Sequence, residues 1–72
     1  MNEDSKQHRE RIARVLGRAV QLFEGDSVRA RNWMETPARD LGNQTPLSAV
    51  GTEAGAREVE DLIGRLEHGV FT

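Results

Sequence analysis

Residues 12–23, Ile-Ala-Arg-Val-Leu-Gly-Arg-Ala-Val-Gln-Leu-Phe, decide the fold class of this chain. Their apolar side chains recur at three- and four-residue steps, which is the spacing of one apolar stripe on an amphipathic α-helix. Gly25 follows where a helix can end, because glycine adopts the left-handed backbone conformation without strain. The pattern predicts a first helix over about residues 6–24, with its stripe formed by Ile12, Val15, Leu16, Ala19, Leu22 and Phe23.

A second long helix is predicted between Thr52 and Gly69. Thr52 has the side chain of a helix N-cap, and Glu53 places a negative charge in the first turn, where the helix dipole favours it. Gly69 stands where this helix is expected to end. The buried stripe of the helix is predicted to consist of Ala56, Val59, Leu62, Ile63 and Leu66.

Shorter segments with clear start and stop residues lie between the two long helices. Asp26 or Ser27 can cap a helix that ends at Thr36-Pro37, since the residue before proline is disfavoured in the helical region. A single turn is predicted within residues 37–41, followed by a loop. Thr45-Pro46 then combines an N-cap with a proline at the first helical position, which starts another short helix.

No segment alternates between polar and apolar residues for long enough to predict a β-strand. The chain is therefore predicted to be all-α, a small single-domain helical bundle with two longer helices and short helices between them. Residues 1–11 are polar and are predicted to be an N-terminal arm or the start of the first helix. Residues 12–72 form the predicted helical domain.

The composition of the chain limits the classes of function that we expect for it. The chain has 72 residues, and a core of that size rarely supplies more than roughly 3–5 kcal/mol without disulfides or metals. It has no cysteine, no apolar run long enough for a membrane span, and a polar first segment, which together predict a cytoplasmic protein. Its formal net charge of −2 is unlike that of a free-standing nucleic-acid binder. Self-association or a partner is expected to add stability.

Residues suited to catalysis are sparse. The two histidines, His8 and His68, are sixty positions apart, and His68 falls in the last turn of the second long helix, where a polar or cationic group is favourable. No phosphate-binding glycine motif and no converging set of metal ligands is present in the sequence. The sequence predicts a protein that is not an enzyme and that uses neither a cofactor nor a metal.

Three arginines of the predicted first helix suggest an alternative function, which is nucleic-acid binding. Arg11, Arg14 and Arg18 are spaced to line one side of the first helix, as phosphate contacts would require. Glu10 can pair with Arg14, and no aromatic residue lies among the arginines for base stacking. A solvated helix face is therefore favoured over a nucleic-acid site.

Glycines and one tryptophan indicate close packing. Gly17, Gly55 and Gly64 fall inside predicted helices, where glycine costs up to ~1 kcal/mol relative to alanine. Such a cost is tolerated where another backbone comes near, and a close helix crossing is predicted at Gly64. Trp33 is suited to a binding hot spot, but its helical spacing with neighbouring apolar residues favours a place in the core.

The last apolar residues, Val70 and Phe71, follow the predicted helix stop. Phe71 can fold back onto the first helix as a C-terminal hydrophobic contact. It can equally insert into a partner protein. The residues themselves leave both alternatives open.

The order and spacing of caps and breaks resemble a known family, the toxin-binding domain of Xre/MbcA/ParS-type antitoxins. The resemblance runs from about Val15 to Phe71, and its specificity lies in the combined spacing rather than in one motif. The segments that carry it are Leu22-Phe23, Ala30-x-x-Trp33, Thr36-Pro37, Leu41-Gly42, Thr45-Pro46-Leu47, Thr52-Glu53-x-Gly55-Ala56, Val59-Glu60 and Arg65-x-Glu67-His68-Gly69-Val70.

The resemblance implies an antitoxin of a bacterial type II toxin–antitoxin system. Its partner would be a RES-domain toxin, an enzyme that depletes NAD, and neutralisation would occur by protein–protein contact without chemistry of its own. In that family the end of the last helix and the residues after it obstruct the toxin's active site. Carried onto this sequence, the partner-binding residues would be Arg65, Glu67, His68, Gly69, Val70, Phe71 and Thr72.

One difference from the family pattern concerns the DNA-binding domain. Members commonly carry a helix-turn-helix domain before this region, whereas only about a dozen residues precede it here. We therefore expect either a stand-alone short antitoxin or a domain cut from a longer protein, with DNA binding in doubt. A DNA-associated regulator of the toxin–antitoxin operon and a bare oligomerisation module are the alternative hypotheses. A homo-oligomer or a heteromeric complex with the toxin is expected.

Overall fold

The computed structural model describes residues 2–69, with side chains from Ser5 onward. Its elements are all helical: α1 (Asn2–Leu22), α2 (Ser27–Met34), a 3-10 turn (Arg39–Leu41), α3 (Pro46–Ala49) and α4 (Glu53–Glu67). The described part of the chain contains no β-strand, only an isolated antiparallel bridge between Ala38 and Gln44. The prediction of an all-α domain with two longer helices and short helices between them is confirmed.

Side-chain caps begin three of the helices, as their sequences predict. Asp26, rather than Ser27, caps α2 and accepts a hydrogen bond of 3.0 Å from the backbone N–H of Arg29. Thr45 and Thr52 each accept a 3.0 Å hydrogen bond from the N–H three residues later, at the starts of α3 and α4. These bonds satisfy N–H groups that have no partner inside the helix.

The first helix begins and ends earlier than its apolar pattern predicts. It starts at Asn2, so the polar residues before Ile12 continue the helix. It ends at Leu22 because two successive residues leave the helical region: Glu24 has φ of 57° and Gly25 has φ of 90°. The N–H of Gly25 donates to the carbonyl of Val20 at 2.8 Å, which closes the helix end.

All four α-helices contribute to one core. Its buried side chains are aliphatic, and Trp33 packs against them while keeping part of its surface exposed. The cluster joins the predicted stripes of α1 and α4 through the short helices, so each helix buries its apolar face against another. The buried members are Val15, Ala19, Ala30, Met34, Ala49, Val50, Ala56, Val59 and Ile63.

Three apolar side chains that belong to helical stripes are not buried. Val28 is 67% exposed, Leu66 is 46% exposed and Leu47 is 39% exposed. The prediction that Leu66 belongs to the buried stripe of α4 is wrong. Periodicity identifies the apolar face of a helix, but it does not indicate how far along that face another element packs.

Only one of the three helical glycines is required by a close backbone approach. A Cβ at Gly55 would overlap the carbonyl group of Ala49, so α3 can end against α4 only where the side chain is absent. A Cβ at Gly64 would meet only the Nη2 atom of Arg18, at 4.0 Å, and one at Gly17 would meet nothing within 4 Å. The predicted close helix crossing at Gly64 is therefore wrong.

Candidate partner-binding site

Four of the predicted partner-binding residues lie together at the C-terminal end of α4: Arg65, Glu67, His68 and Gly69. Arg65, Glu67 and His68 are exposed, and Gly69 is half-buried. His68 is the C-cap residue, and Gly69 turns the chain with φ of 57°. The exposed side chains offer a guanidinium, a carboxylate and an imidazole, which can form hydrogen bonds and ion pairs with another protein.

Val70, Phe71 and Thr72 lie outside the described residues. Their roles, and the question whether Phe71 packs on its own domain or on a partner, therefore stay predictions.

Arg11, on α1, forms hydrogen bonds with the turn that precedes α4. Its Nε atom donates to the carbonyl of Val50 at 3.1 Å, and its Nη2 atom donates to the carbonyl of Gly51 at 3.0 Å. These carbonyls end α3, where the last C=O groups of a helix have no partner inside it. Arg11 thus fixes the α3–α4 connection against α1.

Two further arginines of α1 reach the carboxylates of α4. Arg14 donates from Nε to Glu60 at 2.8 Å and from Nη2 to Glu53 at 3.1 Å. The hydrogen bond to Glu60 is the main cause that raises the pKa of the Arg14 guanidinium above its ordinary value. Arg18 reaches Glu67 at 3.5 Å.

The contacts of the three arginines advance along both helices together, from the start of each helix toward its end. Arg11 lies beside Gly51, Arg14 beside Glu53 and Glu60, and Arg18 beside Glu67. Helices α1 and α4 therefore run parallel, and α1 supports the C-terminal end of α4, where the predicted partner-binding residues lie.

These contacts bear on the nucleic-acid hypothesis. Each guanidinium of Arg11, Arg14 and Arg18 already binds a carbonyl or carboxylate of the same chain. The expected partner of Arg14 was Glu10, whereas the structure pairs Arg14 with two glutamates of α4. A role in phosphate contact stays a prediction, and it would have to compete with these internal partners.

Two open grooves flank Arg65 at the end of α4. Among the described side chains, neither Asp61 nor Arg65 forms an ion pair within 4.0 Å. One groove has a volume of about 710 Å³ and is lined by Arg18, Glu60, Asp61, Gly64, Arg65 and His68. The other has a volume of about 370 Å³ and is lined by Asp40, Leu41, Gly42, Glu58, Asp61 and Arg65.

Leu66 lies beside the predicted partner-binding residues, and the sequence pattern wrongly assigns it to the buried stripe of α4. Its side chain is 46% exposed and lies between Arg65 and Glu67 in the last turn of α4. Apolar area beside charged groups is the usual composition of a protein–protein contact. Its position in the last turn was the only feature of the sequence that could have separated Leu66 from the buried stripe.

The described side chains do not form a metal site. Within residues 5–69, no group of three or more His, Asp or Glu side chains is placed to hold a metal ion. None of the helices described is both long enough and apolar enough to span a lipid bilayer. What the end of α4 presents is an open, charged surface.

Comparison with known proteins gives consistent matches. Residues 18–69 match the family described as the antitoxin Xre/MbcA/ParS C-terminal toxin-binding domain. The chain is 56% identical over 62 residues to antitoxin Xre of Yersinia enterocolitica serotype O:8, which aligns 86% of this chain with 42% of that protein. It is 49% identical over 69 residues to antitoxin Xre of Photorhabdus laumondii subsp. laumondii, with 96% of this chain aligned to 47% of the relative. The chain thus spans less than half the length of these curated relatives.

Proposed function

The chain belongs to the family of antitoxin Xre/MbcA/ParS C-terminal toxin-binding domains, and from that membership we propose that it neutralises a toxin by binding it directly. The observation that carries the proposal is the match over residues 18–69, which reaches through the exposed end of α4. Both antitoxins named above align with most of this chain, which supports the same role.

The proposed toxin is a RES-domain enzyme that depletes NAD, in a type II system of the cytoplasm. This part of the proposal rests on the resemblance of the segments between Leu22 and Val70 to the family pattern. In this proposal the toxin is the enzyme that consumes NAD, and this chain contributes a binding surface.

The proposed contact surface is the end of α4 together with the residues after it. It comprises Arg65, Glu67, His68, Gly69 and residues 70–72, which would enter and obstruct the toxin's active site. The exposure of Arg65 and His68 and the open grooves on both sides of Arg65 support this assignment. Leu66 adds apolar area to the same surface.

The first experiment is to co-express the chain with the toxin encoded beside it. We expect a complex that survives purification and a fall in NAD consumption when the chain is present. A neighbouring protein that binds the chain but keeps its full NAD-consuming activity would contradict neutralisation. Absence of a complex would contradict the proposed function as a whole.

Removal of residues 69–72 tests the obstructing segment. Helix α4 ends at Glu67, so the truncated chain should keep its helical circular dichroism. We expect it to lose the ability to rescue growth from the toxin. Rescue by the truncated chain at the wild-type level would show that the obstructing segment lies elsewhere.

Arg65→Gln tests the end of α4 itself, with Arg57→Gln as its matched control. Both arginines lie on α4 and both are exposed, but Arg57 is in its first half and makes only a 3.8 Å ion pair with Glu53. Neither substitution should change stability by more than about 0.5 kcal/mol. In titration calorimetry with the toxin, Arg65→Gln should weaken binding at least tenfold and Arg57→Gln should not. Equal effects would argue against a contact at Arg65.

A further inference from the structure

The last turn of α4 lies beyond the point where that helix is packed in the core. Ile63 is fully buried, whereas Gly64 is half-buried and Arg65 is exposed. Leu66, the apolar residue of this turn, is also exposed. Because most helical stability in proteins comes from packing of the apolar face, the last turn depends on contacts of another kind.

Glu67 carries a charge that the end of a helix disfavours. The C-terminus of a helix bears a partial negative charge, so a cation in the last turn is favourable and a carboxylate is not. Arg65 meets this preference, whereas Glu67, the last residue of α4, does not. A carboxylate at this position is therefore stabilised by a positive charge from another element.

Arg18, on α1, provides that positive charge. Its Nη2 atom donates to Oε1 of Glu67 at 3.5 Å. The guanidinium passes Gly64, which has no side chain to obstruct it, since a Cβ there would stand 4.0 Å from the same Nη2 atom. The two side chains are 39% and 30% exposed, compared with 76% and 50% for the pair of Arg57 and Glu53. Solvent therefore screens the pair of Arg18 and Glu67 less strongly.

The chain leaves α4 directly after Glu67, and its first two residues are bonded to the last turn. The N–H of His68 donates to the carbonyl of Gly64 at 3.1 Å, and the N–H of Gly69 donates to the carbonyl of Leu66 at 3.2 Å. Both acceptors belong to the turn that the ion pair connects to α1. When that turn frays, both hydrogen bonds are lost, and the direction of the chain beyond α4 is no longer fixed.

We propose that Arg18 is a positioning residue for toxin binding. Through Glu67 it holds the last turn of α4 against α1 and so fixes the direction of the chain that follows. This inference rests on the proposed function, in which the residues after α4 enter the toxin. A fixed direction raises affinity, because a preorganised segment loses less conformational entropy on binding. Within the proposed contact surface, the Glu67 carboxylate thus acts on its own domain, through Arg18.

Amide hydrogen exchange of the chain alone, followed by NMR, tests this role without a toxin. We expect the His68 and Gly69 amides to exchange several times faster in Arg18→Glu than in the wild type, because like charges then meet at the end of α4. Arg9→Glu is the matched control. It makes the same change of charge on α1, and Arg9 forms no ion pair within 4.0 Å among the described side chains. Unchanged exchange in Arg18→Glu overturns the proposal.

Toxin binding is tested by charge reversal and rescue in titration calorimetry. Arg18→Glu and Glu67→Arg should each raise the dissociation constant about tenfold, and the double variant Arg18→Glu/Glu67→Arg should return it close to the wild-type value. Rescue separates positioning from direct contact, because a toxin that binds the Glu67 carboxylate itself would lose that contact in the double variant. Circular dichroism verifies the fold of each variant. A folded double variant that binds as weakly as the single variants overturns the proposal.

The proposed function and the role of Arg18 fail in different ways. A wild type that binds no toxin contradicts the proposed function, and the exchange of the His68 and Gly69 amides still decides whether Arg18 holds the last turn. A wild type that binds the toxin while Arg18→Glu binds it equally well contradicts the positioning role alone.

Discussion

The two ends of α4 are built in opposite ways. At its start, Thr52 caps the helix, Gly55 lies directly against the carbonyl of Ala49, and Arg11 holds the preceding turn. At its end, Arg65 is exposed among open grooves. Among the described residues, an ion pair of 3.5 Å joins Glu67 at that end to Arg18 of α1.

This difference shows how a small domain can hold a surface in one orientation while leaving that surface exposed to solvent. Tight packing at the start of α4 sets the direction of the helix, so its end is oriented although few side chains cover it. Stability should therefore be sensitive to substitutions at the start of α4 and tolerant of them at the end.

Gly55→Ala should have the largest effect. The new methyl group would overlap the carbonyl of Ala49, and α3 would have to move away from α4. We expect a loss of about 3 kcal/mol, the upper part of the usual range for overpacking, measured by urea unfolding. Gly17→Ala is the matched control, because a Cβ there meets no atom within 4 Å and should not destabilise the fold. Equal losses in both variants would contradict the close approach.

Thr52→Ala should have an intermediate effect. It removes the hydroxyl that accepts the hydrogen bond from the N–H of Gly55 at the start of α4. We expect a loss of about 1 kcal/mol, the usual cost of removing an N-cap side chain, seen as a lower melting temperature in calorimetry. Thr52→Ser keeps an accepting hydroxyl and should stay near the wild type. A Thr52→Ser variant as unstable as Thr52→Ala would assign the loss to the missing methyl group instead.

Gly64→Ala should have the smallest effect and the opposite sign. Near the end of α4 a Cβ at this position meets only a flexible guanidinium at 4.0 Å, so the variant gains helix propensity without a clash. We expect a gain of about 0.5–1 kcal/mol in the free energy of unfolding, measured by urea titration. A clear loss of stability would show that the end of α4 is packed as tightly as its start.

Local sequence signals predicted the helices well because the residues at a helix end have side chains or backbone conformations that favour a start or a stop there. Asp26, Thr45 and Thr52 cap the helices that follow them, and Gly25 adopts the left-handed conformation expected of it. The family resemblance, which rests on the same spacing of caps and breaks, is confirmed by the match over residues 18–69. Start and stop signals depend on neighbouring residues only, so one sequence suffices to find them.

Contacts between distant residues could not be predicted in the same way. The partners of Arg14 are Glu53 and Glu60, 39 and 46 positions away, whereas the sequence offered Glu10 within the same helix. Likewise, Gly55 and Gly64 are both helical glycines in α4, and only the position of α3 separates their roles. For the same reason the exposure of Leu66 required the structure. The role of residues 70–72 stays a prediction.

The parallel arrangement of α1 and α4 also determines the order in which a newly made chain can fold. Arg11 cannot form its hydrogen bonds until the carbonyls about 40 positions later have been synthesised. Arg18 cannot pair with Glu67 until the chain is 49 residues longer. Before these residues leave the ribosome, α1 has only short helices to pack on, and most helical stability in proteins comes from tertiary packing of the apolar face. Completion of the core therefore coincides with synthesis of α4. A folded molecule is then one in which α4 has already been synthesised to its C-terminal end.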